Sequence, residues 1–276
     1  MCTSSIYTSM QVPGTSKIIS PLGGVNRHEW SGNSAYHSLQ AKIERRFSSG
    51  FTVLSSYIFS RAISNQLGFA TTGDAQGSGY QNLLDFSQER SLGSTHQKHR
   101  FVFSGVWEIP VGRGRSIGAS MNPVLDGFIG GWSISSIVTM HSGRVYSVTT
   151  QGDQANSGTT NRPDLVGDPY AGDHTLSRYF NTAAFARNAL YTFGNLGRNT
   201  MVGPETVGVD FGALKQILIA TPKDQPINLQ FRFEAFNFFN HANFGLPNST
   251  LGAAAFGQIS SAGAGRKLQF ALKLLF

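Results

Sequence analysis

Cysteine is almost missing from this chain of 276 residues, in which Cys2 is the single cysteine. A disulfide within the chain is therefore excluded, and so is a metal site that needs several cysteines. Long apolar runs are missing as well. No stretch of about eighteen consecutive apolar residues occurs, so the sequence contains no candidate transmembrane helix.

Charge is also scarce, since Lys, Arg, Asp and Glu make up 13% of the residues, against roughly 25% in a typical soluble domain. Glycine and phenylalanine are abundant, with 32 and 21 residues, yet the mean hydropathy stays slightly negative at -0.14. This composition is typical of many short strands, each with an apolar and a polar face. It does not indicate a helical protein, because Lys, Glu and Leu are not enriched.

The formal net charge of +7 and the isoelectric point near 9.7 raise the question of nucleic-acid binding. The basic residues are scattered along the chain. Their densest clusters, at residues 42–46, 97–100 and 113–115, are short. The sequence therefore gives no support to a nucleic-acid partner.

The C-terminal segment RKLQFALKLLF (266–276) shows the clearest periodicity in the chain. Every second residue from Leu268 to Phe276 is apolar, and the lysines Lys267 and Lys273 fall between them. A helix would scatter these lysines around an apolar cylinder, whereas a strand separates them from the apolar row. We therefore predict a strand here.

The same alternation recurs along the chain and predicts seven strands. A tight turn at Ser48-Ser49-Gly50 separates the first two. Residues 4–12 are a candidate for an eighth strand. The seven predicted strands lie at residues 36–47, 51–59, 100–109, 132–140, 207–219, 227–239 and 267–276.

The predicted connections alternate between short and long. Residues 48–50, 111–126 and 221–226 are short or moderate, whereas residues 61–99, 141–206 and 240–265 form long polar segments. Bacterial outer-membrane barrels have this form, with short periplasmic turns and long external loops. A strand of eleven residues spans roughly 36 Å, and a tilt of about 40° reduces its height to about 28 Å, close to the height of an apolar membrane band.

The polar rows of the predicted strands bear on the choice between a membrane barrel and a soluble β-sandwich. Lys, Glu and Arg side chains are costly in a dry core but are solvated inside a wide or plugged barrel. The apolar row can then face lipid, and closure of the barrel satisfies every backbone N–H and C=O group. A soluble β-sandwich with one wet face explains the alternation too, and stays as an alternative.

Several longer motifs resemble Oar-like TonB-dependent outer-membrane receptors, in the order of that family and over residues 32–276. Residues 1–31 match less clearly, and we assign them at most one strand and a loop. The motifs are GNSAYHSLQAKIERRFSSGFTVLSSYIFSRAI (32–63), HRFVFSGVWEIPVGRGR (99–115), RPDLVGDPY (162–170), RYFNTAAFA (178–186), YTFGNLGRNTMVGP (191–204), LQFRFEAFNFFNHANFGLPN (229–248) and FGQIS (256–260).

The resemblance implies a large receptor with a signal peptide, a β-sandwich, a plug domain and a barrel of about twenty-two strands. This chain has room only for the last part of such a barrel. It shows no plug and no TonB-contacting segment, and residues 1–20 lack the pattern of a signal peptide. We therefore expect further sequence upstream of Met1, and expect that these residues alone do not perform active transport.

Two groups of residues have predicted roles in such a barrel. By resemblance, the alternating end of the last strand is the signal that the barrel-assembly machinery reads, although any amphipathic edge strand can end this way. Four aromatic residues near the strand ends are predicted to lie at the membrane interfaces, with ordinary core aromatics as the alternative. The signal residues are Phe270, Leu272, Leu274 and Phe276, and the interface aromatics are Tyr57, Phe59, Trp107 and Trp132.

Other patterns carry little chemistry. Gly112 to Gly118 superficially resembles a dinucleotide loop, but Pro123 argues against the helix that such a loop requires, and a periplasmic turn is the better interpretation. His96 and His99 have no nearby carboxylate or cysteine to complete a metal site. Three loop carboxylates lack the spacing of a calcium loop, and no G-x-S-x-G motif occurs. Those carboxylates are Asp164, Asp168 and Asp173.

We therefore predict an all-β antiparallel transmembrane β-barrel segment, with seven or eight strands of a larger barrel and long external loops. Its predicted location is the bacterial outer membrane, and its predicted function is ligand binding or uptake as part of a TonB-dependent receptor. The ligand, whether siderophore, glycan or peptide, stays open. Expected partners are lipid and the barrel-assembly machinery, with TonB and a plug domain engaged only through upstream sequence. We expect no enzymatic activity, cofactor or metal. The alternatives are a small self-contained barrel with an adhesive or pore role, and a soluble β-sandwich binding module.

Overall fold

The computed structural model describes residues 6–10, 25–29, 32–48, 50–65, 80–82, 85–219 and 227–275. Within them the protein is dominated by seven long strands. These are β3 (Ser34–Ser48), β4 (Phe51–Ser64), β6 (His99–Glu108), β7 (Trp132–His141), β13 (Thr206–Ile219), β14 (Ile227–Phe236) and β16 (Lys267–Leu275).

Shorter elements lie at the N-terminus and between the long strands. In the described part of the chain, one short α-helix and two single-turn 3-10 helices accompany nine short strands. The strands are β1 (Ile6–Met10), β2 (Val25–Glu29), β5 (Ser91–Leu92), β8 (Val145–Tyr146), β9 (Thr149–Thr150), β10 (Asp164–Leu165), β11 (Phe185–Ala186), β12 (Met201–Val202) and β15 (Thr250–Leu251); α1 is Pro123–Ile129, and the 3-10 helices are Ser87–Glu89 and Thr182–Ala184.

The seven long strands form one antiparallel sheet in the order β16-β14-β13-β7-β6-β4-β3. Each strand of this sheet pairs with its neighbour in sequence among the long strands, which is the pattern of an up-and-down barrel wall; short β5 adds to the end of β4. Among the described residues β3 and β16 do not pair with each other, so the sheet is open. The prediction of an all-β, antiparallel barrel segment is confirmed.

Two strand predictions need correction. The strand predicted over residues 227–239 ends at Phe236, because Asn237 turns the chain with a φ of 52° and its N–H donates to Asp210 Oδ1 at 2.9 Å. The candidate eighth strand exists as β1, but it pairs antiparallel with β2 in a separate two-stranded sheet. The apolar alternation near Ile6 predicts a strand and carries no information on its partner.

The two ends of the sheet differ as predicted. The connections at one end are short, and Gly50 in the first adopts a φ of 75°, in the left-handed region that favours glycine. The connections at the opposite end are long. They run from β4 to β6, from β7 to β13 and from β14 to β16.

The long connections are not loose loops, because they pack together into a folded unit that we call the cap. It comprises residues 80–82, 85–98, 142–205 and 237–266. Within the middle connection β12 pairs with β8, and β15 of the last connection runs parallel to β9 of the middle one. Its apolar core consists of Tyr146, Val148, Phe180, Ala184, Phe185, Leu196 and Met201.

Helix α1 contradicts the expectation that Pro123 excludes a helix after Gly118. Residues 111–118 do form a turn, with Val111 bridged to Ile117. The chain then enters α1 with Pro123 in its first turn and with the Asn122 side chain accepting a hydrogen bond from Val124 N at 2.9 Å. Proline is favoured at that position, because the N–H it lacks has no partner in the first turn and its φ suits a helix. The motif is still no dinucleotide loop, since the helix does not follow Gly118 directly.

Candidate functional site

One face of the large sheet is apolar across all seven strands. Directly opposed residues on neighbouring strands share a face, and Phe270 of β16 lies opposite Phe233 of β14 with their ring centroids 5.2 Å apart. The row continues from Phe233 to Ala213 of β13 and on to Ile134 of β7. At the other edge of the sheet, Leu39 of β3 opposes Phe59 of β4.

Many side chains of this face are exposed. Leu39 and Ile43 are 66% and 68% exposed, and Phe270 and Leu272 are 65% and 70% exposed. Apolar patches of this extent are rare on soluble proteins and mark a surface that meets protein or lipid. The face is therefore suited to an apolar surrounding medium.

The opposite face carries the charged rows. Lys42 Nζ lies 2.7 Å from Glu44 Oε2, and Arg46 Nε lies 3.3 Å from Glu44 Oε1. Arg232 and Glu234 pair on β14 at 3.7 Å. All of these groups are partly or largely exposed, as expected for a face that meets water.

A comparison with protein families decides the identity. The model of the outer membrane β-barrel domain family matches residues 4–269. The chain belongs to this family. Its location is the bacterial outer membrane, and the apolar face of the barrel domain is the surface that meets lipid. Comparison with curated proteins and with solved structures found no match.

No helix among the described residues is both long enough and apolar enough to cross a bilayer.

The aromatic residues predicted at the interfaces all lie on the lipid face, the two tryptophans at strand ends and Tyr57 and Phe59 inside the longer strand β4 (Phe51–Ser64). Trp107 is the last but one residue of β6, and Trp132 is the first residue of β7, at the short-turn end. Tyr57 and Phe59 lie toward the cap, and Phe59 opposes His99, the first residue of β6. From residue 99 to residue 107 the strand rises about 27 Å, or about 21 Å at a tilt of 40°, near the height of an apolar band. The interface role stays a prediction.

The predicted assembly signal lies on β16, an edge strand of the sheet. Phe270, Leu272 and Leu274 share the lipid face of β16 and are more than half exposed. They oppose Phe233, Phe231 and Leu229 of β14. Phe276 lies outside the described residues, so the structure does not test its role.

A buried ion cluster holds the cap together. The two guanidinium nitrogens Nη1 and Nη2 of Arg162 donate to the two carboxylate oxygens of Glu89 at 3.0 Å each. Arg198 Nε lies 3.6 Å from Glu89 Oε2, and Arg198 Nη2 donates to Ser64 O at 2.8 Å. All three charged side chains are at most 1% exposed.

The ion cluster joins the first two long connections to the end of strand β4. Gln81 strengthens the joint, because its N–H donates to Glu89 Oε1 at 3.0 Å and its side-chain oxygen accepts from Arg162 N at 2.7 Å. Arg162 Nε donates to Leu196 O at 2.9 Å. Paired and hydrogen-bonded charges are the form in which ions are tolerated in an interior.

Sequence reasoning missed this cluster, although two of its arginines lie in recognised motifs. RPDLVGDPY begins with Arg162, and YTFGNLGRNTMVGP contains Arg198. Glu89 precedes Arg162 by 73 residues and lies in a polar segment with no periodicity. No local pattern in one sequence connects residues so far apart.

Aromatic rings fill the rest of the cap. Phe180, Phe185 and Phe256 form three edge-to-face contacts with centroids 5.1 to 5.9 Å apart, a geometry that aromatic pairs prefer. Tyr146 is 1% exposed, and burial raises the pKa of its phenol far above the usual value. This core makes the cap a rigid surface.

Among the described residues, clefts open at the cap end of the sheet, and two of them are lined by residues of the cap. The larger, of about 510 Å³, lies where β7, β13 and β14 leave the sheet, and Tyr179, Glu205, His241 and Phe244 contribute to its walls. A phenol, a carboxylate, an imidazole and an aromatic ring can together hydrogen-bond and stack against a polar ligand. The smaller cleft, of about 460 Å³, includes Asn33, Phe86 and Arg90.

The residues considered for metals have other partners. His96 Nδ1 accepts from Ala62 N at 3.2 Å, and His99 Nδ1 lies 2.8 Å from the Tyr57 hydroxyl. Asp164 accepts from Asn195 N, and Asp168 accepts from Tyr170 N, each at 2.9 Å. Across the described residues, no group of three or more His, Cys, Asp or Glu side chains could hold a metal ion.

The stability of the cap should depend on the protonation of His96. Burial, aided by Arg61 and Lys98, lowers the pKa of His96 below its usual value. A histidine with a lowered pKa in the folded state stabilises the fold above its unfolded pKa of about 6.5, and this contribution is lost as pH falls toward the folded pKa. One proton limits the slope to about 1.4 kcal/mol per pH unit.

The variant His96→Asn tests this dependence. Its amide oxygen can accept from Ala62 N but does not titrate, so we expect a flatter change in cap stability between about pH 7 and pH 5 than in the parent. Protease sensitivity of residues 85–98 at each pH measures the effect. Equal pH slopes in both proteins would exclude His96 as the titrating group.

Proposed function

We propose that the chain is the C-terminal barrel portion of a TonB-dependent outer-membrane receptor, which binds or takes up a ligand at the cell surface. Membership of the outer membrane β-barrel family supports the location. The folded cap is the observation that carries the receptor function. We assign the chain no catalytic activity.

The cap provides what a receptor needs on its outer surface. Ordering a flexible loop at the moment of binding costs free energy, so a loop that is already fixed binds more tightly. Glu89, Arg162 and Arg198 fix the first two long connections to each other through contacts within the chain. The cleft beside Glu205 and His241 is the candidate for ligand contact.

One argument for a plug domain in the complete receptor comes from the face of the sheet opposite the lipid face, which we call the inner face. Leu54, Val106 and Ile137 lie on this face among the polar residues and are 41–50% exposed. Leu54 and Ile137 flank Ser104 on neighbouring strands, so they form a local apolar patch. A patch in a purely aqueous lumen would stay unfavourably hydrated, whereas a plug domain from outside residues 1–276 would cover it.

The open edges of the sheet are an argument for a larger barrel. Unpaired N–H and C=O groups on β3 and β16 could not be satisfied by lipid. Closing seven strands on themselves would give only a narrow barrel, whose interior side chains fill completely. The charged row of Lys42, Glu44 and Arg46 would then be desolvated, and ion pairing would only partly offset the free-energy cost of desolvation. We therefore propose that further strands complete the wall.

Refolding tests this need for further strands. Residues 1–276 in detergent micelles should aggregate, or should order their strands only when the remaining part of the encoded protein is present. Amide NMR signals and heat-dependent gel mobility report the outcome. A monodisperse, heat-modifiable monomer with sharp signals for every strand would show that the fragment forms a complete barrel.

Uptake assays test the receptor function. Labelled ferric siderophore, oligosaccharide and peptide are offered to cells that produce the full encoded protein, with and without TonB. We expect one probe to accumulate only when both proteins are present. Accumulation that does not require TonB would indicate a pore and would contradict the proposal. Surface binding without any uptake would agree with a binding role but would contradict TonB-dependent uptake.

The barrel-assembly machinery is a proposed partner through the last strand. Deleting Phe276, or changing it to Asp, should lower the amount of assembled barrel several-fold without changing synthesis, because the machinery reads the apolar end of that strand. The ratio of heat-modifiable to total protein in outer membranes measures the effect. Lys267→Gln, at the cap end of β16, is the control. A normal ratio for both Phe276 variants would remove this role.

A further inference from the structure

Helix α1 exposes an apolar surface outside the sheet. Val124, Leu125, Phe128 and Ile129 are 70%, 50%, 73% and 43% exposed. With about 100° between successive helical residues, these four side chains fall within one sector of about 140°. The helix is amphipathic, and its apolar side is largely exposed.

The polar side of α1 is turned inward. Asp126 Oδ1 accepts a hydrogen bond from Arg113 N at 2.8 Å, which joins the helix to the preceding turn. Asp126 O accepts from Gly130 N at 2.9 Å. The single carboxylate of the helix is therefore used within the connection, and the outward surface is left to the apolar side chains.

Two contacts fix α1 beside the lipid face of the sheet. Trp132 Nε1 donates to Phe128 O at 2.9 Å, and Lys215 Nζ donates to Gly130 O. Trp132 and Lys215 are opposed across β7 and β13, on the face that also carries Phe231 and Leu272. The carbonyl end of the helix thus lies over the end of the apolar band, at the short-turn side.

We propose that α1 is an interfacial anchor, whose apolar side lies in the phospholipid leaflet of the outer membrane at the boundary of headgroups and acyl chains. The helix is tied to Trp132 and Lys215 of the lipid face, and helices with an apolar and a polar side bind this boundary. Trp132 is the type of residue enriched there, and Lys215 keeps its ammonium among carbonyls while its stem covers apolar surface.

The charges around the helix match a phospholipid surface. Arg113 and Arg115 are exposed in the adjoining turn, and Arg115 reaches Glu108 at 3.6 Å. Basic groups beside an apolar helix favour anionic headgroups. The anchor would hold the short-turn end of the barrel at a fixed depth.

Depth-dependent quenching tests the proposal in outer-membrane vesicles that contain the full encoded protein. Cys2→Ser removes the single cysteine of this chain, and a new cysteine at Phe128 then carries an environment-sensitive label. Labels at Leu272 and Ser116 serve as deep and aqueous controls. Nitroxide phospholipids with the quencher near the head or the tail of the acyl chain report depth, and iodide reports exposure to water.

We expect the label at residue 128 to be quenched more by the shallow lipid than by the deep one, and to be several-fold less sensitive to iodide than the label at residue 116. Full quenching by iodide would overturn the proposal, because the helix would then lie in water. Protection from both iodide and lipid would overturn it as well, because a protein would then cover the helix. If Phe128→Cys does not assemble, Leu125→Cys probes the same surface.

Discussion

The variant Glu89→Gln should destabilise the cap by about 3–5 kcal/mol, which is the usual cost of leaving buried charges without their partner. Arg162 and Arg198, each at most 1% exposed, would lose their counter-ion together. The first two long connections would lose the ion pairs that join them, whereas the hydrogen bond of Asn199 Nδ2 to Leu92 O would stay in place. Denaturant-dependent proteolysis of the cap measures the change in its free energy of unfolding.

A matched control lies on the sheet. Glu44 also forms two ion pairs, with Lys42 and Arg46, but its side chain is 40% exposed. Solvated pairs contribute little, so Glu44→Gln should leave stability unchanged. Arg162→Lys keeps the charge but loses the bidentate hydrogen bonds to Glu89, so its destabilisation should lie between those of Glu44→Gln and Glu89→Gln. If Glu89→Gln proved no worse than Glu44→Gln, the cluster would not hold the cap.

The second large effect is expected on the last strand. Leu272→Arg should cost roughly 2–4 kcal/mol if the residue lies near the bilayer midplane, because an arginine on the lipid face must be desolvated. Leu272 lies near the middle of β16, is 70% exposed and opposes Phe231. The free energy of unfolding of the full encoded protein in phospholipid vesicles measures this change.

Lys273→Gln is the neighbouring control. Lys273 opposes Gln230 on the inner face of the sheet, where water is available. The exchange of one polar side chain for another should leave the free energy of unfolding nearly unchanged there. A larger loss for Lys273→Gln than for Leu272→Arg would mean that the two faces are assigned in reverse.

The strands could be predicted from the sequence because alternation is a local signal. The predicted strand over residues 207–219 is found as Thr206–Ile219, and that over residues 36–47 as Ser34–Ser48. Side chains of a strand point alternately to two faces, so a two-faced environment is recorded in every second residue. The face that meets lipid could be read in the same way.

The cap could not be predicted, because its signals are not local. The polar segments between strands contain no periodicity, and the pairing of Glu89 with Arg162 depends on where two distant connections meet. Helix α1 was missed for a different reason. Pro123 was interpreted as a residue that breaks helices, although it occupies the first turn, where it favours one.

The end of β14 shows the limit of periodicity itself. Apolar residues continue to Phe238 and Phe239, but the chain leaves the sheet at Asn237. Hydrogen bonds of Asn237 with Asp210 and with His241 O fix that turn. Turn chemistry of this kind decides where a strand ends, and it depends on partners that the strand sequence does not contain.

A cysteine scan of β16 in outer membranes tests most directly that this sheet is a barrel wall with one face in lipid. Each residue from 267 to 275 is replaced in turn, in a background with Cys2→Ser, and is labelled and exposed to lipid-borne and aqueous quenchers. We expect a strict alternation, with residues 268, 270, 272 and 274 quenched from lipid and residues 267, 269, 271 and 273 quenched from water. Uniform quenching along the strand, or the reverse alternation, would contradict the account.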